Sequence, residues 1–195
     1  MQPTMISTST AKKSIGTGGF LEPEIIVDKF GIKEGMHIAD FGCGAGYFTI
    51  LMAERTAPTG KVYALDIQEA SLDSVRAKAR ASGINNIETI RTNLEILGSS
   101  SLDKGSQDSV MLHNILFQSK KKNEIIQEAN RVLKPGGKMV IIEWAKRGGG
   151  FGPPDDFRID PSEIENIVKK EGLVLETKLD TGQFHFGLIF KKLVT

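Results

Sequence analysis

Cysteine is nearly absent from this chain of 195 residues, with Cys43 standing alone. One thiol excludes an internal disulfide and a thiolate cluster for a metal, so no metal site is expected. An excess of charge of either sign is missing too. Lys+Arg 25 against Asp+Glu 24 leaves a net charge of +1, without the broad basic surface of a dedicated nucleic-acid binder. DNA and RNA are therefore not expected partners, and Lys120-Lys121-Lys122 and Lys191-Lys192 read as solvated faces. No apolar run approaches the ~18 residues of a membrane span, and no signal-peptide pattern is visible. The expected compartment is the cytoplasm, with no membrane insertion.

The composition that remains, 39% hydrophobic and 25% charged, is that of a globular domain. Residues 1–19 are polar and small and are expected to form a flexible segment that frays or folds over a ligand. Residues 20–195 are then a single domain.

Along that domain hydrophobic period and punctuation alternate between strand and helix. A short helix with Pro at its first turn is expected over 23–31, and a buried strand over "MHIADFG". A helix over "YFTILMAERTA" closes at Pro58 and Gly60, and a strand follows at "KVYALDI". "EASLDSVRAKARASG" is amphipathic and stops at Gly83, and "IETIRTN" is the third strand. After the aperiodic 94–107 come the strand "DSVMLHNIL", the helix "KKNEIIQEANRVL", a Lys134-Pro135-Gly136-Gly137 turn and the strand "KMVIIEW". The last helix opens with an Asp cap and Pro at its first position, in "DPSEIENIVKKEG". "LVLETKLD" and "FHFGLIFKKL" form a closing antiparallel pair. The repeats predict an α/β fold, a parallel sheet with helices on both faces and right-handed crossovers.

In such sheets ligands lie beyond the carboxyl ends of the strands, where strand order reverses. There the chain writes "DFGCGAGY", three glycines at alternate positions. Gly42 and Gly44 let the chain turn with no Cβ in the way, and Gly46 opens a helix whose free N–H groups favour an anion. Counted from Gly42, Tyr47 stands where a dinucleotide loop has its third glycine. At the end of the second strand, Asp66 can accept from both hydroxyls of a ribose and disfavours a 2′-phosphate. An acid alone does not separate NAD from adenosylmethionine, so the spacing carries most of that distinction.

These residues resemble the class I S-adenosylmethionine-dependent methyltransferases. The likeness runs from "EPEIIVDKFGIKEGMHIADFGCGAGYFT" through "EANRVLKPGGKMVIIEW" to the final pair. It implies a Rossmann-like, doubly wound seven-stranded sheet of order 3-2-1-4-5-7-6 with the last strand antiparallel. It implies S-adenosyl-L-methionine as cofactor, held by Asp40, Gly42, Cys43, Gly44 and Gly46 on the methionine side. Asp66 would take the ribose, with Ile67 packing the adenine beside it, and Leu94 would be a further cofactor-binding residue. Asn93 stands where the family often places an Asp for the adenine amino group. The pocket facing the methyl group would draw on His113, Asn114, Phe117 and Gln118.

A sulfonium is already a strong methyl donor, so the protein's task is to align the acceptor and exclude water. A base is needed only for an acceptor that cannot shed its proton alone. His113, at the end of the fourth strand, and His185, in the final hairpin, are the imidazoles expected to titrate near neutrality. With Asn114 they are the expected catalytic side chains, while an ordinary packing role competes for each. Cys43 has no basic partner nearby in sequence and reads as a small loop residue rather than a nucleophile.

The chain is similar to the small-molecule branch that includes quinone-biosynthesis and arsenite methyltransferases, which implies a small or medium-sized acceptor. Arsenite asks for several thiolates, and one cysteine does not supply them. Residues 148–150 with Pro153-Pro154 read as either a hinged lid or a plain surface loop. An NAD-dependent oxidoreductase and a cofactor-binding module without catalysis are the competing classes. The acceptor, the methylated atom and the oligomeric state stay open at this level.

Overall fold

The computed structural model describes residues 21–146 and 151–194. The expected flexible segment 1–19 and residues 148–150 of the expected lid lie outside them.

The strands are β1 (His37–Phe41), β2 (Lys61–Asp66), β3 (Ile87–Arg91), β4 (Gln107–His113), β5 (Leu133–Trp144), β6 (Leu173–Leu179) and β7 (His185–Lys192). They form one seven-stranded sheet of order β3-β2-β1-β4-β5-β7-β6. The first five pair in parallel, and β7 runs antiparallel to both β5 and β6. Strand order reverses between β1 and β4, which opens the crevice above Asp40 and His113.

The helices are α1 (Pro23–Val27), α2 (Tyr47–Thr56), α3 (Glu69–Ala81), α4 (Lys122–Val132) and α5 (Pro161–Lys170). Because side chains alternate along a strand, each strand feeds two cores. Ile38, Met111, Val140 and Ile142 pack with α1 and α2 on one face. Ala39, Phe41, Leu112, Met139 and Ile141 pack with α4 and α5 on the other. With both faces covered, the central strands read as unbroken apolar runs rather than alternating ones.

The caps follow local chemistry. Asp160 Oδ1 accepts from the Ser162 amide at 2.9 Å, with Pro161 at the first helical position. Gly31, past the end of the first helical segment, and Gly83, past α3, both have positive φ (72° and 67°).

Two boundaries differ from the sequence expectation. The fourth strand stops at His113 rather than running to Leu116, because Asn114 takes the left-handed region at φ 52°. A short 3-10 turn, Leu116–Gln118, follows it. The Lys134-Pro135-Gly136-Gly137 turn sits inside β5 as an irregularity: Gln107 pairs with Leu133, and pairing resumes only at Ser109 with Lys138. A Cβ at Gly137 would lie 2.9 Å from the Asp108 carbonyl oxygen, so only glycine passes there. The aperiodic segment after β3 is indeed a loop, and buried Glu128 of α4 holds it by accepting from the Gly98 amide at 2.7 Å. Among the described residues no helix is long and apolar enough to cross a membrane.

Candidate active site

The loop after β1 carries three glycines for different physical reasons. Gly42, at φ 74°, lies against the next crossover, and a Cβ there would come within 2.7 Å of Ile115 Cδ1. Gly46, at φ 80°, lies against α3, and a Cβ would come within 2.8 Å of Val75 Cγ2. Gly44, at φ 49°, has no atom within 4 Å of where a Cβ would be. Two glycines therefore serve packing, and the middle one leaves bare backbone facing the crevice. The loop is tied down by the Gly42 and Cys43 amides, which donate to the Leu65 carbonyl at 2.8 and 3.0 Å.

Asp66 closes the same loop from β2. Its Oδ2 accepts from the Gly44 amide at 3.0 Å and its Oδ1 from the Gln68 amide at 2.9 Å. A carboxylate has about four acceptor positions, so both oxygens keep capacity toward the crevice. Asp40, 2% exposed, accepts from Thr49 Oγ1 at 2.5 Å. Burial pushes its carboxyl up to about 7, with Thr49 opposing and the charge of Asp66 adding. Burial likewise pushes the Cys43 thiol well up, reinforced by Asp40 and Asp66, which leaves a neutral thiol rather than a nucleophile.

The crevice has a volume of about 550 Å³ and runs from Ile67 and Asn93 past Gly44 to His113, Asn114 and Gln118. Of the residues expected there, Asp40, Gly42, Cys43, Asp66 and Leu94 also line it. Gly46 does not, being spent on the contact with α3. Phe117 packs into the core on the α4 and α5 side instead. Asn93 Oδ1 already accepts from the Glu95 amide at 3.0 Å, which leaves its second lone pair for a ligand.

At the far end, three expected residues meet. Asn114 Nδ2 lies 3.1 Å from His113 Nε2 and 3.2 Å from His185 Nε2, so one amide group donates to two imidazoles. Antiparallel pairing brings His185 beside Trp144, and their rings sit 4.1 Å apart. Phe48 meets His113 edge-on at 4.8 Å. His185 is buried behind this group and does not line the crevice itself.

Sequence reading expects both imidazoles to titrate near neutrality. Burial instead pushes His113 down to about 4, helped by His185. His185 falls to about 4 as well, through burial and then the charge of Arg158. Both rings are uncharged at pH 7.

Arg158 and Lys78 are not singled out by the sequence. Arg158 donates to the Pro153 and Ala145 carbonyls, each at 2.8 Å, and to that of Phe151. Its guanidinium also lies over Trp144, and Gly152 sits so close to that ring that a Cβ would come within 2.6 Å of it. The described part of the expected lid is thus a pinned buttress. Lys78 also lies 3.8 Å from the Tyr47 ring centre while donating to the Ala45 carbonyl at 2.7 Å, over the outer edge of the loop.

With this geometry in view, the comparisons with known proteins are specific. A model described as "Methyltransferase domain" matches residues 32–174, from ahead of β1 into β6. The chain belongs to the class I S-adenosylmethionine-dependent methyltransferase family. The chain is 36% identical over 115 residues, 59% of its length, to demethylmenaquinone methyltransferase of Lactococcus lactis, covering 44% of that protein. It is 31% identical over 121 residues, 62% of its length, to a ubiquinone/menaquinone biosynthesis C-methyltransferase of Escherichia fergusonii, covering 47% of it. The chain thus spans about half the length of these curated relatives.

A crystal structure of a SAM-dependent methyltransferase from Aquifex aeolicus superposes with a TM-score of 0.81 at 26% identity, covering 89% of this chain and 91% of that one. An arsenic(III) methyltransferase from Chlamydomonas reinhardtii, 22% identical over 84% of this chain and 64% of that one, shares the fold with a TM-score of 0.64.

Proposed function

We propose that the methyltransferase binds S-adenosyl-L-methionine along the crevice and transfers its methyl group to a small aromatic acceptor of the quinol or phenol class. The observation that carries the cofactor assignment is the pairing of Gly44 with Asp66. Bare backbone with open space above it stands beside a carboxylate with acceptor capacity to spare. That is a cradle for a nucleoside with two free sugar hydroxyls.

Asp66 would hold the sugar, Ile67 and Leu94 the base, and Asp40 with the glycine loop the amino-acid end. When bound, the cofactor supplies an electrophilic methyl carbon. The protein's own residues then need only align the acceptor and keep water away. Imidazoles held at about 4 are weak bases at pH 7, so His113 and His185 act by shape and hydrogen bonding. This suits an electron-rich ring carbon, which takes the methyl group as the C–S bond breaks and then sheds its ring proton to water, a proton acidic enough at that stage to need no basic side chain. The quinone-methylating activity named for the two curated relatives favours the same class.

The test has two stages. Titration with adenosylhomocysteine should raise the melting temperature, and NAD should not; a shift with NAD alone would reverse the assignment. Release of adenosylhomocysteine should then be followed across quinols, phenols, amines and RNA. Turnover with quinols or phenols is expected, and turnover confined to amines or RNA would refute the acceptor class.

A further inference from the structure

Strand β5 reads Met-Val-Ile-Ile-Glu-Trp at its carboxyl end. By strand alternation Glu143 falls on the face of Met139 and Ile141, where α4 and α5 pack an apolar core. An acid there is out of keeping with its surroundings, and it is 0% exposed. Among the described residues no lysine or arginine forms an ion pair with it. A buried carboxyl without a cation is costly unless hydrogen bonds offset its desolvation.

Those bonds come from the turn after β4. The Leu116 amide donates to Glu143 Oε1 at 2.6 Å, and the Phe117, Ile115 and Trp144 amides also turn toward the carboxyl. The 115–117 amides open a short 3-10 turn and so lack partners within it. Glu143 is thus a cap supplied from a neighbouring strand. Its second oxygen, Oε2, is buried without a partner among the described residues. Burial pushes the carboxyl up to about 7, with the amides opposing.

What the cap holds matters for the crevice. The turn begins at Asn114, whose amide donates to the Ile142 carbonyl at 2.9 Å while its φ of 52° swings the side chain back over the sheet. It continues through Ile115, which abuts Gly42, to Gln118, which lines the crevice. We propose that Glu143 is a positioning residue for methyl transfer: from the opposite face of the sheet its carboxyl holds the Leu116 amide, at the head of the 3-10 turn, and fixes the segment that presents Asn114 to both imidazoles and Gln118 to the crevice. Its role in transfer rests on the proposed function; the clamp itself does not.

The experiment compares Glu143→Leu with Glu143→Gln. Gln keeps an acceptor for Leu116 and puts its amide nitrogen where Oε2 has no partner, whereas Leu keeps bulk and removes every acceptor. Nitrogen NMR of the imidazole rings reads the clamp without a methyl donor. Both ring signals should shift in Glu143→Leu and hold in Glu143→Gln; unchanged rings in Glu143→Leu overturn the proposal. Should Glu143→Leu not fold, the Leu116 amide proton of Glu143→Gln carries the test well above the carboxyl's titration. It should move upfield on losing a charged acceptor, and an unmoved signal overturns the proposal. With an acceptor in hand, Glu143→Leu should lose about 10–100-fold in kcat while KM for the donor holds within about threefold. An undiminished kcat overturns the positioning role. A wild type with no affinity for adenosylhomocysteine refutes the functional reading and leaves the clamp, read from the rings, to be judged separately.

Discussion

The Gly44 amide donates to Asp66 Oδ2 across 3.0 Å, joining the loop after β1 to the end of β2. The loop is therefore shaped by the carboxylate that is expected to hold the ligand. Binding and loop geometry are coupled through one hydrogen bond, and the first test follows from that.

Asp66→Ala should weaken adenosylhomocysteine binding by ~1.5–3 kcal/mol, the range for hydrogen bonds to a charged group. Calorimetric titration measures it. The loss should fall mainly on the ribose, so 5′-methylthioadenosine, which keeps the sugar and lacks the amino-acid end, should lose a similar amount. An unchanged dissociation constant would remove Asp66 from the site.

Gly44 and Gly42 should separate binding from folding. Gly44→Ala meets open space and pays only the left-handed backbone cost, ~1–2 kcal/mol. It should fold and lose most of its affinity, because the new methyl occupies the ligand's place. Gly42→Ala drives a Cβ to within 2.7 Å of Ile115 Cδ1, so the damage should appear in the melting temperature. A Gly44→Ala variant that binds normally would show that the ligand lies elsewhere.

Asp40 gives a pH signature. Its folded value of about 7 stands above the ordinary 3.8, so the folded protein holds a proton there that the unfolded chain has lost. That contribution is complete below pH 3.8 and disappears as pH rises through about 7. His113 and His185, pushed from 6.5 down to about 4, act in the opposite sense, destabilising as pH falls below 6.5. Glu143 follows Asp40. Comparing ligand-free Asp40→Asn with wild type cancels the other three. The variant should melt higher at pH 8, by roughly 2–4 °C per kcal/mol recovered, and the two curves should draw together steadily below pH 7 and converge only near pH 3.8. Parallel curves would mean that Asp40 carries no buried charge.

The alternation of strands and helices, the closing antiparallel pair, the glycine loop and Asp66 are legible in the sequence because they rest on local signals: apolar runs, punctuation and alternate glycines at a strand end. The sheet order and the place of Asp40 follow from the family resemblance instead. What escaped depended on tertiary contact. The end of β4 was misjudged because nothing local distinguishes "HNIL" as strand from a left-handed Asn114. The imidazoles were expected near neutrality because their burial arises only when β7 pairs with β5 and sets His185 against Trp144. Glu143 has only one local mark, a lone acid closing the apolar run "MVIIEW", and its role depends on the turn that packs against it.

Asn114 offers the sharpest separation of stability from chemistry. Its left-handed backbone costs an ordinary residue ~1–2 kcal/mol, a cost that glycine escapes. Its side chain gives two hydrogen bonds, one to His113 on the crevice wall and one to buried His185, each worth about 1 kcal/mol net. Asn114→Gly deletes both bonds and, because Asn itself tolerates the left-handed region, recovers only part of that backbone cost, so its melting temperature should fall by only a few degrees. The imidazoles would lose their shared donor, leaving their orientation to packing against Phe48 and Trp144 alone. If that donor aligns the site, kcat should fall about 10–100-fold with little change in donor affinity. Scanning calorimetry and initial rates on one preparation decide it. A variant that melts as wild type and turns over as wild type would make the trio a packing feature, and methyl transfer would then depend on some other wall of the crevice.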